Sequence, residues 1–236
     1  MRLSSLLFVL AGVCVVSTGT GLAQEIEYLE VTGDEKKHLN ISISSLPNGQ
    51  ELVFTDADTY SRHIFTPSGH TQKWQHNDEK DKHDFEAVRE GDQIHIQGIF
   101  KGEKVDKTVE IDEKRWINKL DHGLSQWVTG SEEELVFWTL KLSSDLDPIE
   151  FRAEKVGKEI LALSGEQYQA IKVKLTLDGM LLSKLWSAHC WYEMESGLFL
   201  KFEGTNGGPG TPLTIIKLDN VLSPQATPAD RKKGEG

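Results

Sequence analysis

The sequence predicts a mainly β protein: an antiparallel meander curled into an open or closed barrel, with minor helix in its middle connection. Apolar and polar residues alternate with a period of two along many short runs, as half-buried strands require. Proline, glycine and asparagine turn residues separate those runs at short intervals. The rhythm breaks only across residues 115–144, where Trp116, Leu120, Leu124 and Trp127 recur at three- and four-residue spacing. The 236 residues fit one all-β domain, since barrels and sandwiches often exceed two hundred residues as single units.

The chain opens on an export leader. Arg2 supplies a positive start, residues 6–16 an apolar stretch, and Gly21-Leu22-Ala23 small residues at the −3 and −1 positions. Residues 1–23 therefore read as a signal peptide cleaved after Ala23, which places the mature chain in the periplasm or outside the cell. Lipoprotein processing at Cys14 is disfavoured, because Val13 stands where a lipobox has a small residue. No later stretch approaches the ~20 apolar residues of a transmembrane helix. Residues 24–222 are expected as a single β-rich domain. Residues 223–236, with Pro224, Pro228 and Arg231-Lys232-Lys233, are expected as a disordered tail.

Within the domain, residues 38–44 alternate and reach residues 51–55 through Pro47-Asn48-Gly49, a hairpin pattern. Residues 61–66, 72–75 and 83–89 continue the series, divided by Pro67-Ser68-Gly69 and the charged run 77–82. Residues 93–100 and 104–111 flank Lys101-Gly102-Glu103, a three-residue loop with glycine at the position that favours left-handed backbone. In the connection, Glu132-Glu133-Glu134 after Ser131 suits a helix start, while residues 135–140 suit a buried strand equally. From Pro148 the β pattern returns: residues 149–162 as a hairpin about Val156-Gly157-Lys158, then strands over 168–177, 184–194, 198–202 and 213–218, with residues 206–210 as a glycine-rich turn.

Loss of the leader, whose one charged side chain is Arg2, takes the formal net charge from −11 to −12. That sign opposes binding to nucleic acid or anionic headgroups through bulk electrostatics. Cys190 is then the one remaining thiol, so packing must hold the fold without an internal disulfide. His63, His70, His76, His83 and His95 crowd into 33 residues, but none has HxH or HxxxH spacing; they are expected as solvated histidines of polar hairpins, and no metal set is assigned. Cys190 and His189 project to opposite faces of any strand and cannot act as nucleophile and base together. Glu159 and Glu193 lie on expected strands, where either face is open to them, and a glycosidase pair would be established only by their separation in space. No catalytic residue and no cofactor is assigned.

The segments carrying Gly157-Lys158-Glu159, Gly165, Tyr168, Ala170, Trp191-Tyr192, Gly197 and Gly207-Gly208 resemble the C-terminal part of exported bacterial proteins of unknown function. With the similar segments HTQKW and REGDQIHIQGIFKG, the likeness covers roughly residues 55 to 220. Leu185-Trp186 and Trp191-Tyr192 compete for the single Trp-Tyr element of that pattern. The resemblance implies a β meander akin in architecture to LolA/LolB-like lipoprotein-carrier half-barrels, and it carries over no catalytic residue.

Trp116, Trp127, Trp138, Trp186, Trp191 and Tyr192, all from residue 116 onward, form either a shared aromatic core or the walls and lid of an apolar cavity. The leading expectation is a non-catalytic exported binding or carrier protein for an apolar or cell-envelope-derived ligand. An envelope hydrolase using carboxylates or a histidine-bound metal, and a structural envelope partner, are the alternatives.

Overall fold

In the computed structural model, which describes residues 23–142, 145–179, 186–205 and 211–222, fifteen strands pair into one sheet. They are β1 (Gln24–Thr32), β2 (Glu35–Leu46), β3 (Gly49–Thr55), β4 (Thr59–Phe65), β5 (Thr71–Asp78), β6 (His83–Glu90), β7 (Gln93–Phe100), β8 (Glu103–Glu110), β9 (Arg115–Trp116), β10 (Glu134–Lys141), β11 (Asp147–Leu163), β12 (Glu166–Leu177), β13 (Ser187–Glu193), β14 (Phe199–Thr205) and β15 (Leu213–Leu222). Two single-turn helices, α1 (Leu120–Gly123) and α2 (Ser125–Thr129), occupy the connection between β9 and β10. The strands run in the order β8 down to β1, then β15 down to β9. All ladders are antiparallel except the short β9–β10 pair. No ladder joins β8 to β9, so the sheet is an open barrel.

β1 unites the halves, with Ile26 opposite Ile41 of β2 on one side and Val221 of β15 on the other. Sequence reasoning passed over this strand because Glu25, Glu27 and Glu30 dominate it. Glu25 and Glu27 alternate away from the core while Ile26 and Tyr28 are buried.

The expected hairpin about Val156-Gly157-Lys158 does not form. β11 runs unbroken through that point, and a bulge between Lys155 and Gly157 absorbs the extra residue. The chain reverses instead at Ser164-Gly165, where φ values of 53° and 86° give the left-handed pair of a tight hairpin. Ser131 to Glu134 does not start a helix either: Phe137 and Leu140 are buried, and β10 pairs Phe137 with Phe151. The leader, Cys14, the start of the 184–194 strand, the 206–210 turn and the tail lie outside the described residues.

Two apolar clusters form the core. The larger lies inside β1–β4 and β10–β15 and takes in Leu124, Trp127 and Val128 from the helical connection. The second packs Trp74, Phe85, Ile94 and Ile96 against Trp116, Leu140 and Leu146, bringing the free edges of the sheet together. Lys101 and Lys107 pair across that seam with Asp145 and Asp147 at 2.9 and 3.1 Å. Exposed pairs of this kind contribute at most about 1 kcal/mol each, so the apolar cluster holds the closure.

Gly98 combines a φ of +138° with a site where an added Cβ would sit 2.3 Å from the Asp84 carbonyl oxygen. Gly98→Ala should lower unfolding free energy by about 2–3 kcal/mol in urea titration. Gly157→Ala, with open space around it, should change it by less than about 0.5 kcal/mol.

Candidate functional site

Alternation along the strands and the helical connection together enclose a cavity of about 840 Å³ against the inner face of the sheet. Small-molecule pockets span roughly 300–1,000 Å³. Most of the wall is apolar: Leu39 and Ile41 of β2, Phe54 of β3, Phe151 of β11, Phe199 and Phe202 of β14 and Ile216 of β15. Tyr28 Oη donates to the Phe199 carbonyl at 3.1 Å, so its ring stays in the wall with its polar tip satisfied.

The connection closes one side. Tyr192 Oη donates to the Leu120 carbonyl at 2.9 Å and holds α1 down. His122 packs edge-on to Phe65 at 5.0 Å and bonds Gln50 Oε1 at 2.8 Å. Just before and within α1, Lys119 pairs with Asp121 at 3.1 Å and lies over the Phe54 ring at 4.8 Å, so both charges face the cavity.

Thr59, Ser61 and His63 of β4 and His76 of β5 make the remaining wall polar. Trp74 Nε1 donates to Ser61 Oγ at 2.9 Å, and Ser61 Oγ bonds His63 Nε2 at 3.0 Å. His63 stacks between Phe65 and Trp74, with ring centres 6.0 and 5.8 Å away. His76 packs against Trp74 and Phe85, and His83 stacks on Phe100 at 4.6 Å. Three of the five clustered histidines are therefore not solvated: His63, His76 and His83 retain 2%, 7% and 6% exposure. They take in-facing positions of β4, β5 and β6, in step with Ser61, Phe65, Trp74 and Phe85, and that two-residue phase was the signal available in the sequence. His70 and His95 are half-buried.

Burial disfavours the charged imidazolium. It pulls His76 down to about 4, with His83 adding to the effect, and holds His63 well below the ordinary imidazole value. Both rings are neutral at physiological pH. Burial also pushes the Cys190 thiol up to about 12, which removes the thiolate that nucleophilic chemistry needs.

Ser61 and His63 are within reach of a nucleophile and base. However, His63 Nδ1 lacks a hydrogen-bond partner, so no third group orients the ring, and the Ser61 oxygen already accepts from Trp74. Glu159 accepts the Trp191 indole N–H, and Glu193 accepts the backbone N–H groups of Glu195 and Ser196. Among the described residues, no group of three His, Cys, Asp or Glu side chains is placed to hold a metal ion.

Of the six aromatics singled out in the sequence, Trp186 lies on the cavity wall, edge-on to Phe151 at 5.3 Å, with its Nε1 donating to the Thr205 carbonyl. Tyr192 stands behind α1. Trp116 is wholly buried in the seam cluster and donates to Asn118 Oδ1. Trp127, on α2, is buried with Lys155 over its ring, and Trp138 donates to Asp112. Trp191, on the opposite face from Cys190, is flanked by Lys172 and Lys201. Sequence reasoning missed the polar wall and the Lys119–Asp121 pair, which become neighbours only through pairing distant in the chain.

The sequence matches no family model and no curated protein. A β-barrel-like protein of domain of unknown function DUF1849 from Brucella abortus is similar in structure at 7% identity, over 86% of this chain and 100% of that chain, with a TM-score of 0.52. The hypothetical lipoprotein YmcC from Escherichia coli (K12) is similar at 8% identity over 85% and 86%, with a TM-score of 0.40. A LolA superfamily protein from Nitrosomonas europaea is similar at 8% identity over 89% of each chain, with a TM-score of 0.26. The first likeness shows a shared fold and nothing of activity; the other two superpose too loosely to carry weight. No helix among the described residues is long and apolar enough to cross a membrane.

A lowered imidazole pKa gives a definite sign to acid stability. As pH falls below about 6.5 the unfolded chain binds a proton that folded His76 refuses until about 4. Stability is thus complete above that window and lost through it, by roughly 2–3 kcal/mol for this side chain. Urea titrations from pH 7 to pH 4 should show the loss, and His76→Phe, which keeps a ring against Trp74, should flatten the slope by about that amount.

Proposed function

We propose that this protein is a non-catalytic binding or carrier protein that takes an apolar or cell-envelope-derived ligand into the concave face of its open barrel. One observation carries the reading: a cavity of about 840 Å³ whose wall is predominantly apolar, with Leu, Ile and Phe side chains its largest group. Water in contact with such walls is displaced favourably by apolar groups, at ~25 cal/mol per Å² covered. The leader-like N-terminus adds an extracytoplasmic setting. Trp186 joins Phe151, Phe199 and Phe202 as aromatic contacts from the C-terminal half, with Trp116, Trp127 and Tyr192 supporting the wall and the connection from behind. A hydrolase needs an activated nucleophile, a free carboxylate pair or a metal set. Ser61, Cys190, Glu159 and Glu193 are each engaged or protonated, so the geometry favours binding over chemistry.

Titration with the uncharged dye N-phenyl-1-naphthylamine should give saturable fluorescence enhancement at one site. Leu177 lines the cavity and is only partly buried, so Leu177→Trp should fill the space and weaken binding by about tenfold or more, a loss of ~1.4 kcal/mol. Trp186→Ala should weaken it by about 1 kcal/mol. Non-saturable dye uptake, or binding indifferent to Leu177→Trp with the fold intact by circular dichroism, would refute the cavity as the site.

A further inference from the structure

We infer that the ligand is an amphiphile whose uncharged headgroup carries two or more neighbouring hydroxyls, seated against the wall formed by Ser61, His63, His76, Lys119 and Asp121. This rests on the binding reading above and names its ligand class. The motivating observation is a set of polar atoms without partners: His63 Nδ1, His76 Nδ1 and Asp121 Oδ1 are buried and make no hydrogen bond, on side chains that line the cavity. Buried polar groups are paired in the great majority of cases, and each orphan costs roughly 1–3 kcal/mol. His63 and His76 are also more than nine-tenths buried. Three such orphans beside a mainly apolar space call for a ligand that completes them.

The network sets which kind of partner each needs. Trp74 gives its N–H to Ser61 Oγ, and Ser61 Oγ reaches both His63 Nε2 at 3.0 Å and the Gln75 carbonyl at 3.5 Å. His63 Nδ1 needs an acceptor when Nε2 takes the Ser61 proton and a donor when Nε2 gives its own proton to Ser61. Asp121 Oδ1 needs a donor. A hydroxyl both donates and accepts, so neighbouring hydroxyls satisfy both. Each orphan atom is covered at present, and engaging it requires the side chain to turn toward the space that its other atoms already line.

Charge selects against ionic headgroups. Lys119 and Asp121 neutralise one another at 3.1 Å, and both imidazoles are neutral. A carboxylate, phosphate or ammonium would thus be desolvated with no net counter-charge. Lys141 also borders the cavity but is exposed, so water screens it. The chain's own net charge of −11 further opposes an anion.

The test uses four probes of one chain length on the full-length purified protein: monomyristoylglycerol, 1-tetradecanol, myristate and tetradecyltrimethylammonium, each measured by displacement of the naphthylamine dye. Monomyristoylglycerol should bind about tenfold tighter than the other three, the worth of one to two net hydrogen bonds. His63→Phe keeps the aromatic stack and should bring monomyristoylglycerol to within about threefold of tetradecanol, whose own affinity stays unchanged. Asp121→Asn leaves Lys119 uncompensated and should raise affinity for myristate about tenfold, a shift that mere loosening of the fold would not produce. If monomyristoylglycerol binds wild type no tighter than tetradecanol, or if an ionic probe binds tightest, the headgroup inference is wrong while the binding reading survives. If none of the four displaces the dye, both fail. Should His63→Phe not fold, the wild-type ranking and Asp121→Asn decide.

Discussion

Contact between Trp116, Leu140 and Leu146 on one side and Trp74, Phe85, Ile94 and Ile96 on the other holds two sheet edges face to face where no ladder joins them. The cavity depends on that contact. A fifteen-strand antiparallel sheet twists and coils but need not curl far enough to enclose anything. Here the curl is fixed by side chains, and the ion pairs from Lys101 and Lys107 lie at the rim of a seam they do not hold. Buried apolar surface in the seam therefore does the work that closing hydrogen bonds do in a complete barrel.

Energetics also bear on what the hollow contains. The hollow of about 840 Å³ opens toward solvent and carries polar groups beside apolar ones, so it does not persist as a dry void. The space is filled in solution, by water or by ligand. The polar wall lets water occupy one side at little cost, whereas the Leu, Ile and Phe walls hold it poorly, and this asymmetry makes a ligand with one wet end the better occupant.

Much of the architecture was legible because its signal is local. The two-residue alternation of β3 to β8 and the turns at Pro47-Asn48-Gly49 and Lys101-Gly102-Glu103 specify strands without knowledge of their partners. What failed was whatever needed a partner. β1 has a strand's phase, but its acids mask it until β2 and β15 flank it. Val156-Gly157-Lys158 has turn composition, but the β12 ladder turns it into a bulge. The site was less legible than the fold. Tryptophans draw the eye in a sequence, yet five of the six aromatics singled out support the structure away from the cavity wall. His63 and His76 line it because their strand phase places them there, though composition reads them as surface. Lys119 and Asp121 give no local sign of facing a cavity, since Tyr192, far along the chain, is what seats α1.

Trp74 belongs to both systems. Its ring is part of the seam cluster, and its indole N–H holds Ser61, which in turn holds His63. Any rearrangement that separates the sheet edges by moving Trp74 takes away the Ser61 donor and tilts His63 off its stack, so the polar wall and the closure of the barrel form one mechanical unit. A ligand that bonds His63 stabilises the Trp74 position by linkage, because whatever binds one arrangement preferentially shifts the population toward it. Under the proposed binding role, closure around an occupant needs no separate lid, because the tryptophan that completes the seam also holds the polar wall.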